Sequence, residues 1–207
     1  MVGTSAVRTA CFALGFILMS AIGLAAKTSA EEQPPKVGDV VDDYAFHTLA
    51  GEELKLADAA AKGPVVVAVL RGYPGYQCPA CTKQVADLRK HAEELQKLKA
   101  TVVLVYPGKA EQLTERAKEF LKDTKLPAPL VLVTDPNFTF ITQHTLRWDA
   151  PGETAYPSTF VLDGNRRVQY VKISRTHGDR AKTEEVLEVL RALQATSAKG
   201  REIPNTR

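Results

Sequence analysis

Cys78-Pro79-Ala80-Cys81 is the part of this chain whose residue types and spacing can do chemistry. Two thiols three positions apart can close on each other as a disulfide within one turn of chain. If a helix starts at the pair, its N-terminal dipole favours a thiolate on one of them, and the thiolate is the reactive form of cysteine. Pro79 fits such a start, because proline presets φ at the first helical position and needs no hydrogen-bond donor there. Two blander uses exist, a structural disulfide without turnover and half of a zinc site. Zinc needs about four ligands, and no second Cys/His cluster accompanies the pair. No metal is therefore expected, and no cofactor beyond the Cys78–Cys81 disulfide itself.

The neighbouring residues supply candidates for supporting roles. Arg71 closes the preceding apolar run and is either a cation beside a thiolate or a solvent-facing strand end. Arg147 is a weaker candidate for that cation. Pro74 shapes the loop before the pair, and Tyr73 and Tyr76 flank it as walls of a substrate groove or as local packing. No Asp or Glu lies between Pro64 and Cys81, so a buried proton-transfer acid has to come from elsewhere or is missing. His144 and His177 stand alone in polar segments and read as surface residues. Trp148 and Tyr156 read as loop packing or as a cover for the site.

The elements that must position the pair are legible. Val37 to Leu56 predicts two short strands around the turn Ala50-Gly51. Pro64 to Leu70 (PVVVAVL) is a β-branched run of the kind buried on both faces of a sheet. Pro79 to Leu98 predicts a helix, with Val85, Leu88, Ala92, Leu95 and Leu98 at steps of three and four. Thr101 to Tyr106 is a second buried strand, and Ala110 to Lys122 a second amphipathic helix. Leu130 to Val133 is a short strand, and a short helix is expected from Asp135-Pro136 to about Thr145. Thr159 to Leu162 and Arg167 to Ile173 flank Asp163-Gly164-Asn165-Arg166, a hairpin turn. The last helix is expected over Thr183 to Ala195. This alternation describes an α/β domain. A Cys-x-x-Cys after a buried strand in such a setting is the sign of a thioredoxin-like fold.

The N-terminus has the layout of a secretory signal peptide. Arg8 precedes the uncharged apolar run Ala10 to Ala26, and Thr28 and Ala30 occupy the small-residue positions before a cut after Ala30. An uncleaved membrane anchor is the alternative reading. Either way the folded part is exported, to the periplasm or another extracytoplasmic space, where disulfides persist. The organisation expected is thus a leader over 1–30, a linker over 31–36, one domain over 37–196 and a polar tail over 197–207. Removing Arg8 and Lys27 with the leader leaves 25 basic against 24 acidic residues, and takes away Cys11. A nearly neutral domain with interspersed charges gives no basis for binding nucleic acid. Contact with a membrane is expected only through an anchor.

At family level the chain resembles the peroxiredoxin-like branch of the thioredoxin superfamily, the alkyl hydroperoxide reductase/thiol-specific antioxidant group, or redoxins. The likeness runs from Val37 to about Leu193. Val37-Gly38-Asp39 leading to Phe46-His47-Thr48-Leu49-Ala50-Gly51 is similar to the family's N-terminal hairpin. Tyr156-Pro157-Ser158-Thr159-Phe160-Val161-Leu162-Asp163-Gly164 resembles the Pro-Thr-Phe run of exported thiol oxidoreductases. The resemblance implies a central mixed sheet flanked by helices on both faces, with an N-terminal β-hairpin extension. It also implies antioxidant activity and a part in cell redox homeostasis.

For the reaction, the resemblance implies two readings. The peroxiredoxin pattern Pro-x-x-x-Thr/Ser-x-x-Cys lays Pro74 on its proline, Cys78 on its Thr and Cys81 on the cysteine that attacks peroxide. The thioredoxin pattern makes Cys78 the nucleophile and Cys81 the resolving thiol. Disulfide-exchanging members carry a cis-proline opposite the pair, and Pro157 takes that position; peroxidases tend to carry an arginine there. On this basis an exported thiol–disulfide oxidoreductase is expected first, and a peroxidase acting at Cys81, with Cys78 resolving, second. A non-enzymatic copper-handling or binding module is third, although copper delivery goes with a pair spaced one residue wider. The partners implied are protein thiols or disulfides, or hydroperoxides, and an unidentified thiol reductant.

Overall fold

A seven-stranded mixed sheet organises the chain, in the order β2-β1-β5-β4-β3-β6-β7. The computed structural model describes residues 33–122 and 124–201, with the side chains of 199–201 left aside. The expected leader and the end of the polar tail lie outside the described residues.

The strands form where β-branched runs were read. β1 (Ala45–Thr48) and β2 (Glu53–Lys55) make the N-terminal hairpin, and β3 (Val65–Val69), β4 (Thr101–Gly108) and β5 (Leu130–Pro136) are mutually parallel. β6 (Ser158–Leu162) runs antiparallel to β3, with Val69 opposite Ser158, and β7 (Val168–Ile173) closes the edge. Side chains alternate across a strand, so β3 splits between two cores. Val66, Ala68 and Leu70 face the long helices α2 (Pro79–Lys90), α4 (Ala110–Leu121) and α6 (Thr183–Arg201). Val65, Val67 and Val69 face the short helices α1 (Leu56–Lys62) and α5 (Thr139–Gln143). Cys78 and Cys81 belong to the first of these cores.

Asp135-Pro136, expected to open the short helix, instead end β5, and α5 starts at Thr139; three further elements depart from expectation. The helix expected from Pro79 to Leu98 breaks at His91, whose Nδ1 bonds the Asp87 carbonyl at 2.9 Å; α3 (Ala92–Lys97) then starts anew. α1 was not foreseen. α6 continues past Ala195 to Arg201, into the segment expected as a polar tail.

Asp135 anchors α5 to the sheet. Its fully buried carboxylate accepts from the backbone N–H groups of Phe140 at 2.7 Å and Ile141 at 3.1 Å. Burial outweighs these bonds and pushes its pKa up to about 6. A folded-state pKa above the unfolded one means that the folded chain holds an extra proton between about pH 4 and 6. This contribution is full at low pH and is lost as pH rises through about 6. Relative to Asp135→Asn, wild type should therefore lose about 2 kcal/mol of stability between pH 4 and pH 7. Parallel pH–stability curves in urea melts of the two proteins would refute it.

Candidate active site

The pair is built at the junction of β3 and α2. After β3 the chain turns at Gly72, where φ is +72° and an added Cβ would lie 2.1 Å from the Pro107 carbonyl oxygen, so only glycine fits. The loop then runs through Tyr73, Pro74 and Tyr76 to Cys78, which is the N-cap of α2 with Pro79 at the first helical position. Both sulfurs are free thiols, Cys78 with 2% and Cys81 with 1% of its surface exposed.

Nitrogen donors surround both sulfurs. The Cys81 backbone N–H donates to Cys78 Sγ at 3.4 Å, and the Arg71 backbone N–H donates to Cys81 Sγ at 3.2 Å. One guanidinium nitrogen of Arg180 reaches both sulfurs, at 3.3 Å from Cys81 and 3.6 Å from Cys78. The Arg180 side chain is held by Gln84 Oε1 at 2.7 Å and the His177 carbonyl at 3.0 Å. Gln84 in turn donates to Thr159 on β6 at 3.2 Å.

This environment separates the two thiols. The Cys81 S–H shared with Cys78 is the largest effect on Cys78, which is held at a pKa of about 5. Burial opposes that shift, whereas the backbone N–H groups at the helix start and the Arg180 charge add to it. Cys81 is pushed well above its ordinary value by donating to Cys78 and by burial, against the pull of Arg180. Cys78 is the thiolate of the pair, and Cys81 the thiol.

Arg180 was not among the residues singled out in the sequence. Arg71 plays neither of the parts read for it, a cation beside the thiolate or a solvent-facing strand end: its backbone touches Cys81, but its side chain is buried and its guanidinium turns away. The guanidinium bonds Glu153 at 2.7 Å, the Tyr76 hydroxyl at 2.6 Å and the Gly152 carbonyl at 2.7 Å, and only 2% of the residue is exposed. Arg147 lies over the Phe138 ring and donates to the carbonyls of Trp148 and Thr154, away from the sulfurs. Tyr76 is half exposed beside the pair, with its hydroxyl fixed by Arg71.

The expected cis bond at Pro157 is also corrected. Among the described residues the cis peptide is Ala128–Pro129, and Tyr156–Pro157 is trans. The backbone there is already bonded within the fold. Tyr156 N–H donates to Leu146 O at 2.8 Å, the Tyr156 carbonyl accepts from the Ser158 hydroxyl at 2.8 Å, and the Pro157 carbonyl accepts from Ser174 N–H at 2.8 Å. His144, read as a surface residue, is buried and bonds the Phe140 carbonyl at 2.9 Å. His177 is exposed and bonds Glu153 at 2.9 Å. Trp148 and Tyr156 stack on each other with centroids 4.8 Å apart.

The model of the AhpC/TSA family matches residues 37–171, most of the chain. The chain belongs to the AhpC/TSA family. A putative peroxiredoxin of Mycobacterium tuberculosis is 28% identical over 162 residues, spanning 77% of this chain and 99% of that one. Peroxiredoxin Bcp of Escherichia coli is 32% identical over 94 residues, 45% of this chain and 58% of its own. Among solved structures, peroxidoxin BcpB of Mycobacterium tuberculosis superposes with a TM-score of 0.62 at 26% identity, covering 76% of this chain and 97% of that one. A peroxiredoxin-like protein of Aquifex aeolicus has the same fold, with a TM-score of 0.62 at 16% identity. As a member of the AhpC/TSA family the chain is a thioredoxin-fold oxidoreductase, as the resemblance implied. The reading as a non-enzymatic module falls with that membership.

Proposed function

We propose that the chain carries out thiol–disulfide exchange through Cys78, with Cys81 as the resolving thiol. The observation that carries this reading is the place of Cys78 at the N-cap of α2, where its sulfur accepts the Cys81 N–H; its pKa is lowered to about 5, while that of Cys81 is raised. The Cys78 thiolate attacks one sulfur of a substrate disulfide, and the other substrate sulfur leaves as a thiolate. Cys81 then attacks Cys78 Sγ, its proton passes to the second leaving thiolate, and the pair is left oxidised. The reverse sequence oxidises a substrate dithiol by the same path.

A second reading, reduction of hydroperoxides at the same pair, is favoured by the peroxiredoxin relatives and by Arg180. That arginine supplies the cation that Pro157 replaces in the family pattern. The proton held on Cys81 counts against Cys81 as the attacking group.

Reduced wild type, Cys78→Ser and Cys81→Ser should be offered a peptide disulfide and, separately, hydrogen peroxide. Cys81→Ser should accumulate a mixed disulfide mapping to Cys78 by mass spectrometry, and Cys78→Ser should form none. Fast peroxide consumption by Cys78→Ser with none by Cys81→Ser would overturn the assignment and restore the peroxidase reading at Cys81. The leader expected over 1–30 supports an extracytoplasmic site of action. Protein recovered from that fraction is therefore the right material for the experiment.

A further inference from the structure

A groove between α2 and the start of α6 adjoins the cysteine pair. It encloses about 460 Å³, and its walls include Ala80, which lies between the cysteines, and Arg180, which touches both sulfurs. Along α2 the groove follows Ala80, Lys83, Gln84, Asp87 and Lys90, residues at helical steps on one face. At a rise of about 1.5 Å per residue, this face runs about 15 Å from the pair. That length matches about four residues of extended peptide.

The charge of the groove is one-sided. Lys83, Lys90, Lys182 and Arg180 line it, against one carboxylate, Asp87, whose Oδ2 already accepts from the Thr183 hydroxyl at 2.6 Å. Lys83 and Lys90 are exposed and form no ion pair among the described residues. A cleft lined by one sign of charge concentrates ligands of the other. Such a distribution suits a ligand with carboxylates spread over a few residues and a sulfur at one end.

We propose that the groove seats a short acidic peptide thiol, which reduces the oxidised pair. The proposal rests on exchange at Cys78. The peptide thiolate attacks Cys78 Sγ, the Cys78–Cys81 bond breaks, and Cys81 leaves and takes up a proton. A second peptide thiolate then attacks the peptide sulfur of the mixed disulfide and releases the Cys78 thiolate, a good leaving group. Two peptide thiols thus become one peptide disulfide, and the pair gains two electrons.

The test uses the full oxidised protein and three thiols: acetyl-Glu-Cys-Glu-amide, acetyl-Lys-Cys-Lys-amide and 2-mercaptoethanol. Each rate is divided by the rate of the same thiol with hydroxyethyl disulfide, which removes differences in intrinsic thiol reactivity. The normalised rate for the acidic peptide should exceed that for the basic peptide at least tenfold at low ionic strength. The ratio should fall towards unity in 0.5 M salt and in Lys83→Glu/Lys90→Glu, with Lys182→Glu as an independent check. Equal normalised rates, or a preference untouched by charge reversal, would overturn the groove while exchange with 2-mercaptoethanol upholds the chemistry at Cys78. Failure of all three thiols to reduce the pair would overturn both.

Discussion

Arg180→Met raises the pKa that governs alkylation of Cys78 from about 5 to roughly 6, the low end of what removal of a nearby opposite charge does, because the Cys81 thiol and the helix start hold the thiolate more strongly. Arg180 is a single cation shared by both sulfurs, and the other donors to the pair are neutral. The effect on rate depends on where it is measured. At pH 5 the thiolate fraction of Cys78 falls from about one half to about a tenth, and alkylation slows roughly in proportion. At pH 7 the loss is small, because a more basic thiolate is also the better nucleophile. Iodoacetamide kinetics across pH 4 to 9, with thiolate absorbance near 240 nm as a second readout, distinguish this from general damage. An unchanged pH profile would mean that the bond shared with Cys81 and the helix start hold the thiolate without Arg180.

The second large effect is on stability. Arg71→Leu should cost about 3–5 kcal/mol, because it leaves the largely buried Glu153 without its guanidinium partner. In a domain of this size that is a drop in melting temperature of roughly 6–20 °C. Burial alone would raise the Glu153 carboxyl, but bonds from Arg71 and His177 outweigh it and hold Glu153 below its ordinary pKa. Removing both charges in Arg71→Leu/Glu153→Leu should recover a large part of the loss, since a buried pair replaced by apolar groups is often close to neutral. Thermal melts of the two variants with Glu153→Leu complete the cycle. A double variant as unstable as the sum of the single ones would show that the two residues act separately.

Much of this architecture was legible in the chain, and the reasons differ by element. β3 and β4 could be read from continuous β-branched runs, because strands covered on both faces leave little room for polar side chains. The hairpin turn at Asp163-Gly164-Asn165-Arg166 and the N-terminal hairpin showed through their turn residues. α1 escaped because seven residues rich in alanine carry too few large apolar side chains to display a period. The break at His91 escaped because the apolar spacing of Val85, Leu88, Ala92 and Leu95 runs through it undisturbed.

At the site, Cys78, Cys81 and Pro79 stand where the spacing placed them. Arg71 could have been corrected from strand alternation, which carries it to the side of Val67 and Val69 and away from the cysteines. Arg180 had no local signal. It lies in a polar loop about one hundred positions from the pair, and only the antiparallel return of β7 and the docking of α6 beside α2 bring it to the sulfurs. Pro157 shows the limit of resemblance: a proline can match in position while its backbone is already bonded elsewhere.

The bonds that converge on the Cys78 sulfur also set an energy balance between the two forms of the pair. A disulfide carries no charge, so the helix start and Arg180 stabilise the dithiol form far more than the oxidised one. That preference makes the pair an electron acceptor relative to an unperturbed dithiol, and each tenfold of preference raises its midpoint by about 30 mV. Relative to an unperturbed dithiol, the couple is therefore shifted towards its reduced form.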